Sequence, residues 1–230
     1  MYKYEDLSNI YYGGVFALVE RMQDNTFSFL GTAFVCNSKG YLATCSHNIN
    51  LSTAKNLHIV SIDVPLNEFT PLTHNRVNVS PVKVIQFDTN SDICLLKAEP
   101  SSTFNTPEKF LLETESINVG RRCLYIGYPF GDQGFHKVKV SSAMVSSKII
   151  NEQGVKQYLL DTMVHEGTSG GPVIDLETGY IFAIISGRFN PMGNTGIYVG
   201  NYQIGNQTTI SKAIPIKYLI ELINKEENNE

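Results

Sequence analysis

The chain has 230 residues, of which 42% are hydrophobic and 17% charged, and its formal net charge is -4. This balance is typical of a globular protein, and the acidic charge argues against a basic nucleic-acid-binding surface. No run approaches the roughly 18 apolar residues that a membrane helix needs. The first residues also lack the apolar segment of a secretory signal, so we expect a cytoplasmic protein.

Short apolar runs rich in β-branched and aromatic residues recur along the chain, separated by turn residues. About a dozen such runs, with almost no helical periodicity, predict an all-β fold. Two turns are clear: Asn37–Gly40 (NSKG) and Leu176–Gly179 (LETG) each join two apolar runs and predict hairpin loops. The runs are VFALVE, FSFLGTAFVC, YLATCS, LHIVSI, VKVIQF, ICLLKA, RCLYIGY, KVKVSSAMVSSKII, QYLLDTM, PVIDL, YIFAIIS and IYVG.

The polar segment Glu99–Ser116, which contains two prolines, divides this series near its middle. We therefore predict two six-stranded antiparallel β-barrels, an N-terminal barrel over residues 1–105 and a C-terminal barrel over residues 106–230. In the last segment, IPIKYLIELI, apolar residues recur at helical spacing and predict a C-terminal α-helix.

The cysteines lie singly within apolar runs, without the paired spacings that hold zinc or build a disulfide framework. They are Cys36, Cys45, Cys94 and Cys123. We expect buried free thiols, which agrees with a reducing compartment.

The glycine-rich stretch HEGTSGGPVID, residues 165–175, surrounds the hydroxyl of Ser169. It has two interpretations: a tight turn that leads into a strand, or a turn that presents Ser169 as a nucleophile. A serine hydroxyl attacks only when a base lies beside it and a third group orients that base. The rest of the chain must supply both groups.

His47 is the best candidate for the base, because it directly follows the apolar strand YLATCS and would project from a rigid element. His58, His74 and His136 lie at a strand edge or in polar loops, where a solvated role is the ordinary one. For the orienting acid we favour Asp92, which begins an apolar run and, if buried, needs a partner such as an imidazole N–H. Alternatively, Asp92 closes a local turn at the strand entry.

The order of His47, Asp92 and Ser169 along the chain is that of chymotrypsin-type enzymes. Four blocks carry the likeness: GTAFVCNSKGYLATCSHNI around the histidine, NSDICLLKAE around the aspartate, VGRRCLYIGYPFG opening the second barrel, and DTMVHEGTSGGPVIDLETGYIFAII around the serine. The chain therefore resembles the trypsin/chymotrypsin superfamily of serine proteases, and most closely its HtrA-like branch of trypsin-like peptidases.

This resemblance implies a serine endopeptidase that works through an acyl-enzyme, without metal or cofactor. His47 would be the general base and acid, Asp92 would orient it, and Ser169 would be the nucleophile. The backbone N–H groups of Gly167 and Ser169 would form the oxyanion hole. A protein or peptide substrate would be the partner, not a nucleic acid or a membrane. The substrate strand would pair with Ile185, Ser186 and Gly187.

The same resemblance indicates a specificity pocket without an acid at its base, so basic substrate side chains are disfavoured. Met163 and Val164 favour a modest apolar side chain, whereas His165 and Arg188 leave an acidic or amide-bearing one open. Alternatively, His165 is only a wall residue. The pocket would be lined by Met163, Val164, His165, Ser186, Gly187 and Arg188.

Two positions depart from the family. Thr168 stands where digestive trypsins have the acid that pairs with a newly cut N-terminus, so activation by such a cut is not expected. Asn48 follows His47 where secreted members have a disulfide cysteine.

Because every catalytic residue type is present, we favour an active endopeptidase. The alternative is a latent or inactive protease-fold binding or scaffold protein that needs a partner for activity, and an intermediate case is a protease whose oxyanion hole an activating partner completes.

Overall fold

A computed structural model describes residues 1–50, 52, 55–61, 65–72, 77–99, 104, 106–107, 109–113, 117–134, 136–190 and 208–228, together with the backbone of 197–199 and 202–204. The elements in chain order are α1 (Tyr4–Tyr11), β1 (Val15–Arg21), β2 (Phe27–Val35), β3 (Tyr41–Thr44), β4 (Leu57–Ser61), β5 (Asn78–Asp88), β6 (Ile93–Ala98), β7 (Arg122–Gly127), β8 (Lys139–Ile150), β9 (Lys156–Asp161), β10 (Pro172–Asp175), β11 (Ile181–Arg188), β12 (Ile197–Val199), β13 (Tyr202–Ile204), β14 (Ile210–Pro215) and α2 (Lys217–Glu227).

Twelve of these strands form two closed antiparallel barrels, in the orders β1-β2-β3-β6-β5-β4 and β10-β11-β14-β9-β8-β7. This confirms the predicted all-β double barrel, and α2 is the predicted C-terminal helix. The two predicted hairpin loops are also confirmed, because β2 pairs with β3 and β10 pairs with β11. The first barrel ends at Ala98 and the second begins at Arg122, so the boundary between residues 105 and 106 stays a prediction.

Strands β3 and β6 are buried on both faces, which explains their nearly continuous apolar runs. Leu42 and Leu96 lie in the core of the first barrel, whereas Tyr41, Ala43 and Leu95 belong to a cluster between the barrels. The second barrel and both helices complete that cluster with Leu124, Ile126, Ile174, Ile184, Leu7 and Leu219. A close-packed interface of this kind holds residues of one barrel in a fixed position relative to the other.

Sequence reasoning did not predict α1, β13 or β14. Helix α1 has a single buried apolar residue, Leu7, and acidic residues in its first turn. Strand β14 has the run ISKAIP, in which polar residues interrupt the apolar ones, yet it closes the second barrel by pairing with both β11 and β9. Tertiary pairing overrides weak local preference in such strands.

All four cysteines are free and buried, as predicted. Burial raises the pKa of each thiol, to about 12 for Cys94 and Cys123. None of the helices in the described part of the chain is long and apolar enough to cross a membrane. His74 and parts of the segment Glu99–Ser116 lie outside the described residues.

Candidate active site

The two strands that flank the predicted base and acid are neighbours in the first barrel. His47 lies in a 3₁₀ turn (Ser46–Asn48) after β3, and Asp92 lies immediately before β6, with which β3 pairs. The two residues therefore meet at one end of the barrel. The His47 Nδ1 atom lies 2.9 and 2.8 Å from the two carboxylate oxygens of Asp92.

The Asp92 carboxylate is held by several donors. It accepts hydrogen bonds from the His47 N–H (3.0 Å), the His47 ring, the Ser46 hydroxyl (3.0 Å) and the Ser186 hydroxyl (2.8 Å). Burial raises its pKa, but the hydrogen bonds and charge of His47 and the Ser186 hydrogen bond outweigh this, so the pKa lies below its ordinary value of 3.8. An ionised Asp92 that fixes Nδ1 leaves Nε2 of His47 to accept a proton.

Local capping at the entry to β6 belongs to another aspartate. Asp88 accepts hydrogen bonds from the Asn90 N–H at 2.9 Å and from the Ser91 hydroxyl at 2.7 Å. Asp92 itself has a φ of +58°, a left-handed conformation that is uncommon for a residue other than glycine. Such backbone conformations persist where the surroundings impose them, and they cluster at functional sites.

Ser169 lies in the loop between β9 and β10 and lines the same cleft as His47 and Asp92. Its hydroxyl donates a hydrogen bond to the Ser186 carbonyl oxygen at 3.0 Å. Among the hydrogen bonds of the described residues, none joins Ser169 to His47. The predicted nucleophile and the predicted base therefore share a cleft without sharing a hydrogen bond.

The glycines around Ser169 make a turn that only glycine fits. Gly167 and Gly170 have φ values of +88° and +91°. A Cβ on Gly170 would lie 2.1 Å from the Thr32 carbonyl oxygen, and one on Gly167 would lie 2.4 Å from the Tyr128 carbonyl oxygen. Within the described residues, the N–H groups of Gly167 and Ser169 have no protein acceptor. Both amides are thus available to an anionic oxygen.

Three polar residues of the first barrel hold this turn, and sequence reasoning missed them. The Thr32 N–H and Asn48 Nδ2 each donate to the Ser169 carbonyl oxygen at 2.9 Å. The Thr32 hydroxyl donates to the Gly167 carbonyl at 2.7 Å, and Thr44 bridges Asn48 (3.0 Å) and the Thr32 carbonyl (2.7 Å). The sequence signal that could have indicated them was the presence of threonine within apolar strands, because buried polar groups need hydrogen-bond partners.

The predicted substrate strand is only partly available. The Ile185 N–H donates to the Gly171 carbonyl at 2.9 Å, and the Ile185 carbonyl accepts from the Gly170 N–H at 2.8 Å. Ile185 is also fully buried. Ser186 and Gly187 line the cleft, so the prediction of a substrate-pairing strand now rests on these two residues.

The predicted pocket residues have different environments. Met163 is partly exposed, at 38% of its surface, whereas Val164 is 1% exposed and packs in the core of the second barrel. Val164 therefore offers the pocket its backbone, and its carbonyl oxygen accepts a hydrogen bond from Arg188 Nε at 3.0 Å.

His165 forms part of the wall of this region. Its ring packs against Phe130 with a centroid distance of 4.8 Å. Desolvation and the positive charges of Lys139 and Arg188 lower the pKa of His165 below its ordinary value of 6.5, so the ring is neutral at pH 7.

One group of possible metal ligands occurs among the described residues: donor atoms of Cys45, His47 and Asp92 lie within 4.8 Å of one another. Burial and the charge of Asp92 raise the pKa of the Cys45 thiol, and the thiol donates to the Ile185 carbonyl at 3.2 Å. His47 and Asp92 are bonded to each other. This donor set favours a hydrogen-bonded pair over a metal centre.

Two six-stranded barrels with histidine, aspartate and serine in one cleft define the class of chymotrypsin-like double-barrel proteins. A family model described as a trypsin-like peptidase domain matches residues 31–184, which is more than half of the chain. The chain belongs to this family.

The sequence relatives confirm the HtrA-like resemblance. A probable periplasmic serine endoprotease DegP-like from Pseudomonas putida (strain GB-1) is 28% identical over 199 residues, which cover 85% of this chain and 34% of the relative. A protein of the same name from Rickettsia conorii is 28% identical over 175 residues, which cover 73% of this chain and 30% of the relative. This chain thus spans about a third of the length of these relatives.

A solved structure titled HtrA-type protease AlgW with decapeptide covers 98% of this chain and 68% of its own, with a TM-score of 0.70 and 19% identity. At this identity the likeness shows the fold.

The prediction of a cytoplasmic location is wrong. The Pseudomonas and Rickettsia relatives are named periplasmic, which contradicts it. The prediction was drawn from the first residues, and the free cysteines that agreed with it do not report the compartment, because burial keeps a thiol inert in either one.

Proposed function

We propose that this chain is a serine endopeptidase that hydrolyses peptide bonds through an acyl-enzyme. The observation that carries the proposal is the contact of His47 Nδ1 with the Asp92 carboxylate in the cleft that Ser169 lines. As Ser169 Oγ attacks the substrate carbonyl carbon, His47 Nε2 takes the hydroxyl proton. Asp92 stabilises the imidazolium that forms.

The turn around Ser169 would stabilise the tetrahedral intermediate. Its oxyanion would accept hydrogen bonds from the free N–H groups of Gly167 and Ser169. His47 then donates its proton to the leaving amine, and a water molecule, activated by the same ring, hydrolyses the acyl-enzyme. Loss of one oxyanion-hole donor typically costs about 2.7 to 4 kcal/mol of transition-state stabilisation.

A protein or peptide is the proposed substrate. The relatives are named serine endoproteases, and the AlgW structure is titled as a complex with a decapeptide. Ser186 and Gly187, which line the cleft, would pair with the backbone of an extended peptide.

Labelling with a fluorophosphonate probe tests the proposal, because the probe reacts with an activated serine and not with an ordinary one. We expect labelling of the wild-type chain, its loss in Ser169→Ala, and a large decrease in His47→Ala. Folded wild-type protein that resists the probe, with or without added peptides, would contradict an endopeptidase function.

A latent protease-fold protein is the second candidate, and one observation favours it. The Ser169 hydroxyl donates to the Ser186 carbonyl instead of to His47. In this alternative, an activating partner or a bound peptide turns the hydroxyl toward the base. Measuring the labelling rate with and without a panel of unreactive peptides separates the two. A rate that the peptides leave constant or lower by competition supports the first candidate, and a rate that they raise supports the second.

A further inference from the structure

Two cations of the second barrel line the cleft from neighbouring strands. Arg188 ends β11 and Lys212 lies on β14, and both residues line the cleft with Ser169. Lys212 is directly opposite Gly187 in the β11–β14 register, and directly opposite residues project to the same face. A Cβ on Gly187 would lie 3.8 Å from Ser169 Oγ, so Lys212 projects on the side of Ser169.

Neither cation has an acidic partner in the described part of the chain. Among the described residues, no carboxylate forms an ion pair with Arg188 or Lys212, whereas Lys39 and Lys83 pair with Glu227 and Glu99. Arg188 is nevertheless held in place, because its Nε donates to the Val164 carbonyl at 3.0 Å. This bond leaves the terminal nitrogens of the guanidinium for a ligand.

The negative charge inside the cleft is already paired. Asp92 is the one acidic residue among the described residues that line it, and its carboxylate is bound by His47, Ser46 and Ser186. Desolvation is the first cause of the lowered pKa of His165, and the positive charges of Lys139 and Arg188 lower it further. A positive cleft in a chain of net charge -4 attracts acidic ligands.

The alternative of an apolar substrate side chain in the predicted specificity pocket depends on Met163 and Val164, and only one of these two side chains is exposed. Val164 is buried in the barrel core, so its side chain is not available to a substrate. Met163 alone would provide the apolar surface, while the Arg188 guanidinium is held at the Val164 carbonyl.

We propose that Arg188 and Lys212 select acidic peptides, with a Glu or Asp side chain bound beside Ser169. This inference rests on the proposed function, and it names the class of substrate for the same site. The acidic side chain accepts hydrogen bonds from the free guanidinium nitrogens of Arg188. Lys212, which projects to the opposite face of the sheet from Arg188, adds attraction for a second acidic residue of the peptide.

The proposal is tested with matched pairs of peptides. The two peptides of a pair differ only by Glu or Gln, or by Asp or Asn, at one position before the scissile bond, and each such position is examined in turn. Charge-assisted hydrogen bonds predict a kcat/KM about 10- to 100-fold higher for the acidic peptide of each decisive pair. The ratio of kcat/KM for the acidic peptide to kcat/KM for the neutral one should fall toward one in Arg188→Gln and decrease in Lys212→Gln. In Arg188→Lys part of this preference should remain. Lys83→Gln, which removes an exposed cation outside the cleft, should leave it unchanged.

Peptide binding to Ser169→Ala, measured by fluorescence anisotropy, separates failure of this inference from failure of the proposed function. Tighter binding of acidic peptides that Arg188→Gln abolishes supports acidic selection, even if the wild-type chain hydrolyses nothing. Equal binding and equal turnover of the acidic and neutral peptides would overturn the inference while leaving the endopeptidase intact. Thermal unfolding of each variant confirms that it folds.

Discussion

Asn48 Nδ2 donates a hydrogen bond to the Ser169 carbonyl oxygen over 2.9 Å and thereby joins the residue next to His47 to the predicted nucleophile. The same amide donates to the Thr44 hydroxyl at 3.0 Å. Because His47 and Asn48 are adjacent in the chain, this pair of bonds fixes the distance between the proposed base and the Ser169 loop. The Asn48 amide thus makes a contact between the barrels.

Asn48→Asp should reduce both the fluorophosphonate labelling rate of Ser169 and the stability of the fold. Aspartate has the same shape but offers only acceptors to the Ser169 carbonyl and lacks the donor for Thr44. The loss of a buried hydrogen bond to a polar group costs about 1 to 3 kcal/mol, and we expect a decrease of about 10-fold or more in labelling rate. The rate and the urea midpoint are measured together.

Asn37→Ala provides the matched control for this substitution. The Asn37 side chain also accepts two backbone hydrogen bonds, from Lys39 (3.0 Å) and Tyr41 (3.1 Å), but it lies in the β2–β3 hairpin loop and outside the cleft. We expect this variant to lose stability and to label at the wild-type rate. Equal labelling of both variants at equal stability would mean that Asn48 has no positioning role.

The residues of the candidate site could be selected from the sequence because each residue type has a local signature. A glycine-rich turn around Ser169 and a histidine at a strand end are visible in a short window of sequence. The network of Thr32, Thr44 and Asn48 was not predictable, because its partners are far apart in the chain and the bonds exist only after the barrels pack. The burial of Val164 escaped prediction for the same reason.

Gly170→Ala should abolish labelling and destabilise the fold severely. The new Cβ would lie 2.1 Å from the Thr32 carbonyl oxygen and 2.5 Å from the Thr44 hydroxyl, at a φ of +91°. Gly120→Ala is the control, because Gly120 has a φ of +90° and a Cβ added there would have no described atom within 4 Å. Backbone strain alone costs about 1 to 3 kcal/mol, so Gly120→Ala should fold and label normally. A labelled Gly170→Ala protein would show that the turn tolerates displacement.

The ionised form of Asp92 should stabilise the fold above its ordinary pKa. Its folded-state pKa lies below 3.8, so the stabilisation is complete above that value and disappears as the pH falls through the folded pKa. Asp92→Asn removes this contribution. The difference in free energy of unfolding between the wild type and Asp92→Asn should therefore be largest near neutral pH and shrink in acid, measured by urea unfolding between about pH 2 and pH 7.

Catalysis provides a second readout for Asp92. Asparagine would stabilise the wrong tautomer of His47, and in serine proteases this change lowers kcat by about 10⁴-fold. A variant that kept full activity, or a stability difference independent of pH, would contradict the role of Asp92 as an ionised partner of His47.

Thr32→Val should remove the hydrogen bonds that connect the oxyanion turn to the rest of the second barrel. Thr32 is fully buried, and its hydroxyl donates to the Gly167 carbonyl at 2.7 Å and accepts from the Tyr128 N–H at 2.9 Å. Valine preserves the volume but leaves both backbone groups unpaired, which should cost about 2 to 4 kcal/mol of stability. Because the Gly167 peptide is then less constrained, we also expect slower labelling of Ser169. Thr178→Val removes a hydroxyl bonded to Asp175 in the β10–β11 turn and should leave labelling unchanged. If Thr32→Val unfolds at lower urea yet labels at the wild-type rate, the Thr32 hydroxyl supports the fold without shaping the oxyanion hole.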